Sequence, residues 1–374
     1  MTEDIYHKLA HHLDELPAGF PATESGVEIR ILKRLFTPEE AELALHTSLI
    51  PEEARVIARR AKLSKEEAEE RLREMAQKGL ILSIDLPKRP ALYMAAQYVV
   101  GIWEYQVDRL TEGLVRDMNE YLPSFVDMDT WQKAPQLRTI PVGRSLEASM
   151  EVMSYETAED LVRSQRKIRV LPCICRKEHT MMGEGCEKPE ESCLVFGTGA
   201  YYYEKRGIGR DIDVEECLEV LKQADKEGLV LQPNNAKKLS NICCCCGCCC
   251  QILIHMKKHP KPAEVVSSPF IVAYDAETCE ACGVCVDRCQ MDAMTMKEEE
   301  VEIDMDRCIG CGLCVSTCPT KSLTLERKPE KAQHYIPDDL MESHIRLGQA
   351  RGKLGRGTMV KMSLKSKWDR FLAK

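Results

Sequence analysis

Eight cysteines near the C-terminus stand at a spacing suited to metal chemistry: Cys279, Cys282, Cys285 and Cys289, then Cys308, Cys311, Cys314 and Cys318. Each run reads C-x2-C-x2-C-x3-C, and Pro319 follows the second. Gaps of two residues let one tight loop aim three soft thiolates at three corners of a cubane of irons and sulfides. The fourth cysteine of each run is carried off on a helical turn and reaches a second such cluster. Zinc sites usually take two C-x2-C pairs across a long spacer, and disulfide frameworks belong to small secreted chains. Neither pattern matches four cysteines in one run, repeated.

Matching elements must hold the two runs, because they form an internal repeat. Cys308 follows Cys279 by 29 residues, and CEACGVCVDRCQMDAMTM aligns with CIGCGLCVSTCPTKSLTL. Each half needs a short strand, a cysteine loop, a helical turn and a return strand. The strands are predicted at 271–274, 293–296, 300–303 and 322–325. Gly283, Gly310 and Gly312 lie in the loops, where close backbone approach excludes a Cβ. Residues 270–327 resemble the bacterial two-cluster ferredoxin domain. That resemblance implies one [4Fe–4S] cluster on Cys279, Cys282, Cys285 and Cys318, and another on Cys308, Cys311, Cys314 and Cys289. Gln290 stands where that family often has proline, a change that removes no ligand.

A second concentration of cysteines lies upstream. LPCICRKEHTMMGEGCEKPEESC supplies Cys173, Cys175, Cys186 and Cys193, and NICCCCGCCC supplies seven more around Gly247. Seven cysteines around one glycine exceed what packing requires. On a helix, Cys243, Cys246 and Cys250 would share a face; on an extended segment, Cys243 and Cys245 would. The candidate ligands are Cys173, Cys175, Cys186, Cys193, Cys243, Cys245 and Cys246. They point to a third iron–sulfur cluster, with structural zinc as the alternative. CCG is similar to cysteine-rich domains that hold an unusual cluster in disulfide-reducing enzymes. The surrounding spacing departs from that family's two-part pattern, so its activity is not carried over. His179, His255 and His259 read as surface histidines, although His179 lies between candidate ligands. Arg176 stands where it could hydrogen-bond sulfur. Cys217 reads as a buried core thiol, and Tyr201, Tyr202 and Tyr203 as half-buried packing residues.

Before these cysteines the chain reads as helical. Helices are predicted over 27–36, 38–48, 51–61 and 65–78, with Ser64 and Glu67 forming a capping box and Gly79 ending the last helix. Segments 80–85 and 90–94 would form a hairpin. The order over residues 26–95 resembles a winged-helix domain. Its recognition helix, SKEEAEERLREMAQK, is acidic at the end that would meet phosphates, which argues against DNA binding. Arg55, Arg59 and Arg60 on the preceding helix keep a DNA reading open. Residues 102–121 read as one amphipathic helix with Trp103, Val107, Leu110, Leu114, Val115 and Met118 on its apolar face. That stripe suits a core or a dimer seam. Pro123, Pro135 and Pro141 should break the region that follows. A helix over 157–164, a strand over 167–171 and a helix over 214–226 complete the pattern.

Composition sets the class. The 374 residues include 20 cysteines, and the formal net charge is −8. The N-terminus has no apolar run of a secretory signal, and no stretch is long and apolar enough to cross a membrane. A reducing cytoplasm, in an anaerobic or microaerobic host, suits so many thiols. Residues 327–374 carry 12 Lys and Arg against 5 Asp and Glu, so the rest is acidic. An acidic body suits docking to a basic redox partner protein. Phosphate-loop and dinucleotide-binding patterns are missing from the sequence.

The expected fold class is α+β multidomain. Residues 1–100 form a winged-helix-like domain, 101–165 a helical connector and 166–265 a cysteine-rich domain. Residues 266–328 form the two-cluster ferredoxin domain, and 329–374 a basic tail, read as flexible or as an arm for a partner. The expected function is single-electron transfer through two [4Fe–4S] clusters, and through the further cysteine site, to a partner oxidoreductase. Two alternatives stand beside it: a redox-sensing winged-helix regulator, and an oxidoreductase subunit with chemistry at the central cysteines. Electron carrier or subunit fits better than stand-alone enzyme, and a homo-oligomer is compatible with the apolar stripe.

Overall fold

The computed structural model describes residues 4–85, 88–147 and 150–373. It mixes helices with small sheets and divides into two compact units, Met1–Asp127 with His344–Lys374, and Met128–Ser343.

In the first unit, three helices begin at a hydroxyl residue whose side chain accepts a free N–H of the first turn, Thr37, Ser64 and Thr111. Thr37 and Glu40 form a reciprocal capping box before Pro38–Ala44. Ser64 Oγ accepts the Glu67 N–H at 3.1 Å before Lys65–Lys78. The Glu67 carboxylate does not complete the predicted box; it pairs with Arg71 at 2.6 Å, one turn along the same face. Gly79 ends the helix at φ 78°, a left-handed conformation that glycine adopts without strain. Strands Ile81–Ile84 and Leu92–Ala95 pair antiparallel, and Glu52–Glu53 adds a third strand beside the latter. The hairpin tip at residues 86–87 lies outside the described residues.

The single helix predicted over 102–121 is interrupted. Short turns occupy Tyr98–Ile102 and Glu104–Gln106, and a new helix runs Glu112–Phe125. Thr111 causes the restart, because its Oγ1 accepts the Leu114 N–H at 3.3 Å. Pro123 lies inside that helix rather than ending it. Trp103, Val107, Leu114, Val115 and Met118 are buried in this unit, so the stripe is core.

The basic tail folds. Helices Leu340–Ala350 and Arg356–Leu372 occupy it. Asp369 accepts from Arg59 at 3.0 Å and from Arg60 at 2.7 Å, and the Arg370 and Ala373 carbonyls accept from Arg55. The three arginines that kept a DNA reading open are therefore engaged within the chain.

The second unit centres on a five-stranded antiparallel sheet. Its spatial order is Arg210–Ile212, Ile168–Pro172, Glu191–Phe196, Asn241–Cys245 and Val230–Pro233. Period-2 alternation sets Ile242 and Cys244 on one face of the sheet and Cys243 and Cys245 on the other, and all four lie in or against the apolar core. The helix Val214–Lys226 packs its Cys217, Leu218, Leu221 and Ala224 into that core. The cysteine repeat contributes two hairpin-like pairs. Phe270–Tyr274 pairs with Leu323–Arg327, and Met294–Lys297 pairs with Glu300–Ile303. First with fourth and second with third is the pairing expected of two similar halves related by a pseudo-two-fold axis.

Candidate metal centres

The two strand pairs of the repeat place eight thiols around two hollows. Cys279, Cys282, Cys285 and Cys318 line one, together with Tyr274, Val301 and Leu323. Cys289, Cys308, Cys311 and Cys314 line the other, with Val272, Met294, Leu313 and Leu325. Each hollow thus receives three thiols from one run and the fourth from the other. The four soft donors and the apolar walls of each hollow fit an iron–sulfur group.

Local geometry follows from the loops. Gly310 has φ +66°, and a Cβ there would lie 2.1 Å from the Phe270 carbonyl oxygen, so only glycine lets the loop press on the strand. Backbone N–H groups donate to sulfur, Ala281 to Cys279 at 3.4 Å and Ala293 to Cys289 at 3.2 Å. The Ser322 hydroxyl lies 3.2 Å from Cys318 Sγ and can donate to it. Burial raises the Cys318 thiol, but Ser322 and Thr320 outweigh it and hold it down to about 7. The Tyr274 hydroxyl and the Ala281 N–H lower Cys279. In the other hollow, burial dominates and pushes Cys311 up to about 12, with Cys308 and Cys314 also raised. These thiols ionise readily only when a cation takes up the charge.

The central cysteines divide into two groups. Cys186, Cys246, Cys248 and Cys249 gather with all four sulfurs within 4.8 Å of one another. Cys186 comes from the loop after the helix Ile174–Met181, and the others from the turn between Asn241–Cys245 and Gln251–Lys258. Burial opposes ionisation of Cys186, but the Lys188 N–H and the three neighbouring thiols more than offset it.

The second group is a row. Cys193 meets Cys243 across the sheet register, Cys243 meets Cys245, and Cys245 meets Cys250 at the start of Gln251–Lys258. Cys250 meets Cys175, which meets Cys173 at the start of Ile174–Met181. Hydrogen bonds from neighbouring thiols hold Cys243 and Cys250 well below the ordinary thiol range, and Cys173 below it. Their donors Cys175 and Cys245 are pushed well up. N–H groups in the first turns of the two helices also face Cys173 and Cys250.

One buried cation serves both groups. Burial disfavours the Arg176 charge, but Cys173, Cys246 and Cys245 outweigh it and keep the guanidinium ionised. Arg176 donates to the Pro189 and Cys244 carbonyls at 2.8 Å each and to Ser192 Oγ. Gln290, the departure from the ferredoxin pattern, accepts the Gly247 N–H on its side-chain oxygen at 2.7 Å. It thereby joins the segment after Cys289 to the turn between Cys246 and Cys248.

Of the seven predicted central ligands, Cys186 and Cys246 enter the first group, and Cys173, Cys175, Cys193, Cys243 and Cys245 the second. The sequence reading missed Cys248, Cys249 and Cys250. The turn at Gly247, between strand and helix, was the signal: it turns Cys248 and Cys249 toward Cys246 and leaves Cys250 at the start of the next helix. His179 donates from Nδ1 to the Cys175 carbonyl at 2.9 Å, His255 to the Gln251 carbonyl at 2.8 Å, and His259 Nδ1 accepts the Lys261 N–H. Cys217 is fully buried, and its thiol is raised to about 12 by burial. Tyr202 and Tyr203 are buried, whereas Tyr201 is 59% exposed.

A family profile described as a 4Fe-4S dicluster domain matches residues 278–322. No curated protein and no solved structure matches the chain. The family match covers a small part of the chain and identifies that segment as an iron–sulfur, ferredoxin-type domain. Among the described residues, no helix is long and apolar enough to cross a membrane.

Proposed function

We propose that this protein carries single electrons to a partner oxidoreductase through two [4Fe–4S] clusters held by its cysteine repeat. The observation that carries the reading is the crossed sharing of thiols: each hollow is lined by three cysteines of one run and the fourth of the other. Bound there, a [4Fe–4S] group supplies a one-electron couple at low potential. The chain's own residues hold and tune it. Four thiolates fix each group, the apolar walls exclude water, and the donors on Cys279, Cys289 and Cys318 stabilise negative charge on sulfur. Cys282 is exposed at the first hollow, which favours that end for exchange with a partner.

The row Cys173, Cys175, Cys193, Cys243, Cys245 and Cys250 is proposed as the site of a further iron–sulfur centre. Its soft donors, burial and the charge of Arg176 support that reading. The N-terminal winged-helix-like domain serves protein contact rather than DNA contact in this account. Its arginines are occupied by Asp369, and Val360, Leu364, Trp368 and Phe371 expose an apolar face along the last helix. Indifference to DNA at low salt would support this; oxidation-dependent DNA binding would favour the regulator instead.

Changing Cys311 to Ala tests the central reading. The anaerobically purified variant should lose about four irons per chain and one reducible cluster signal. Unchanged iron with full reducibility would refute it.

A further inference from the structure

The four thiols Cys186, Cys246, Cys248 and Cys249 differ from the rest in their spacing. Cys186 Sγ lies 3.9 Å from Cys246 Sγ, and Cys248 Sγ lies 3.8 Å from Cys249 Sγ. All four fall within 4.8 Å of one another. A tetrahedron with metal–sulfur bonds of about 2.3 Å has edges of about 3.8 Å, which the two short separations match, and the whole group is compact enough to close on one ion. The repeat cysteines instead stand apart around two hollows with apolar side chains between them, and among the described residues none of them joins so close a group. We propose that Cys186, Cys246, Cys248 and Cys249 form a mononuclear tetrathiolate site for a divalent cation, Zn²⁺, separate from every iron–sulfur centre of the chain.

The surroundings suit such a site. Four thiolates around a dication leave two net negative charges, and two cations stand nearby. Cys246 is among the thiols that keep the Arg176 guanidinium charged, and the Lys257 ammonium lies beside Gly247. The Lys188 N–H faces Cys186. A Cβ at Gly247 would lie 2.4 Å from the Gln290 carbonyl oxygen, so a glycine alone permits the turn that brings Cys246, Cys248 and Cys249 together. Among divalent ions offered the same thiolates, zinc binds more tightly than ferrous iron. Zinc has no redox chemistry, so the site fastens the 186 loop to the cysteine turn and takes no part in electron carriage. The proposal stands whether or not the electron-transfer reading holds.

The test is metal analysis of the full chain, purified anaerobically. Wild type should hold about one zinc beside its iron. Cys248→Ser, at the exposed corner, should cut zinc roughly tenfold or more with iron and cluster signals unchanged, and Cys311→Ala should do the reverse. Growth on cobalt should give the wild-type protein the visible bands and thiolate charge-transfer absorption of tetrahedral cobalt in four sulfurs, a readout that needs no variant. Loss of iron rather than zinc from Cys248→Ser, zinc unaffected by that change, or octahedral cobalt would each overturn the proposal.

Discussion

The repeat and the central domain both concentrate cysteine, yet they arrange it in opposite ways. In the repeat, the x2-x2-x3 spacing spreads thiols around hollows walled by Val272, Met294, Leu323 and Leu325. In the centre, adjacent cysteines on a strand, a turn and a helix start bring sulfur into contact with sulfur. The difference teaches that spacing along the chain sets the size of the group that can be held. Charge is handled differently as well. The repeat relies on hydroxyl and N–H donors, while the centre also buries a guanidinium.

The largest effect that would sharpen this contrast concerns that cation. Arg176→Met should destabilise the metal-free central unit by about 3–5 kcal/mol, because it strands buried thiolates without a counter-charge. Urea unfolding under reducing conditions measures it. A change as small as that of a surface substitution would mean the centre does not depend on buried charge.

Acid provides the next contrast, between the thiol-rich unit and the N-terminal one. Burial lowers His344 to about 4, and its Nε2 accepts from the Gln97 amide at 2.8 Å. The folded state therefore favours neutral histidine. Its stabilisation is present in full above pH ~6.5 and is lost as the pH falls toward about 4. The loss should reach roughly 2–3 kcal/mol, seen as a falling urea midpoint between those values. His344→Gln should flatten that slope; an unchanged slope would assign the acid sensitivity elsewhere.

Two glycines compare the regions directly. Gly247→Ala meets the Gln290 carbonyl oxygen and should cost about 1–3 kcal/mol and loosen zinc. Gly283→Ala finds nothing within 4 Å and bears only the strain of φ +76°, about 1 kcal/mol. Equal thermal shifts would erase the distinction between a packed turn and an open one.

The smallest effect lies in tuning. Ser322→Ala removes a hydroxyl near Cys318 sulfur and should lower one reduction potential by roughly 40 mV, the equivalent of about 1 kcal/mol for one electron. A spectroelectrochemical titration reads it. No shift, or a rise, would show that this hydroxyl does not stabilise the reduced state.

How much of this was legible in the sequence depends on how local the signal is. The strands of the repeat and the helix Val214–Lys226 follow from spacing and apolar period within the segment, and the structure has them within a residue or two. The partition of the central cysteines was not legible. It depends on strand Glu191–Phe196 lying beside Asn241–Cys245, a pairing that no local pattern encodes. The helix predicted over 102–121 failed for a local reason that outranked periodicity, the Thr111 cap. The folded tail depends on Asp369 meeting Arg59 and Arg60 about three hundred residues earlier in the chain.

Crossed ligation of the repeat is the central claim, and iron counting in paired double variants tests it most directly. Cys289 and Cys308 line the same hollow, whereas Cys289 and Cys279 line different ones. Cys289→Ala with Cys308→Ala should therefore lose about four irons relative to wild type, and Cys289→Ala with Cys279→Ala about eight. Equal losses from the two pairs, or the larger loss from the first, would contradict the account.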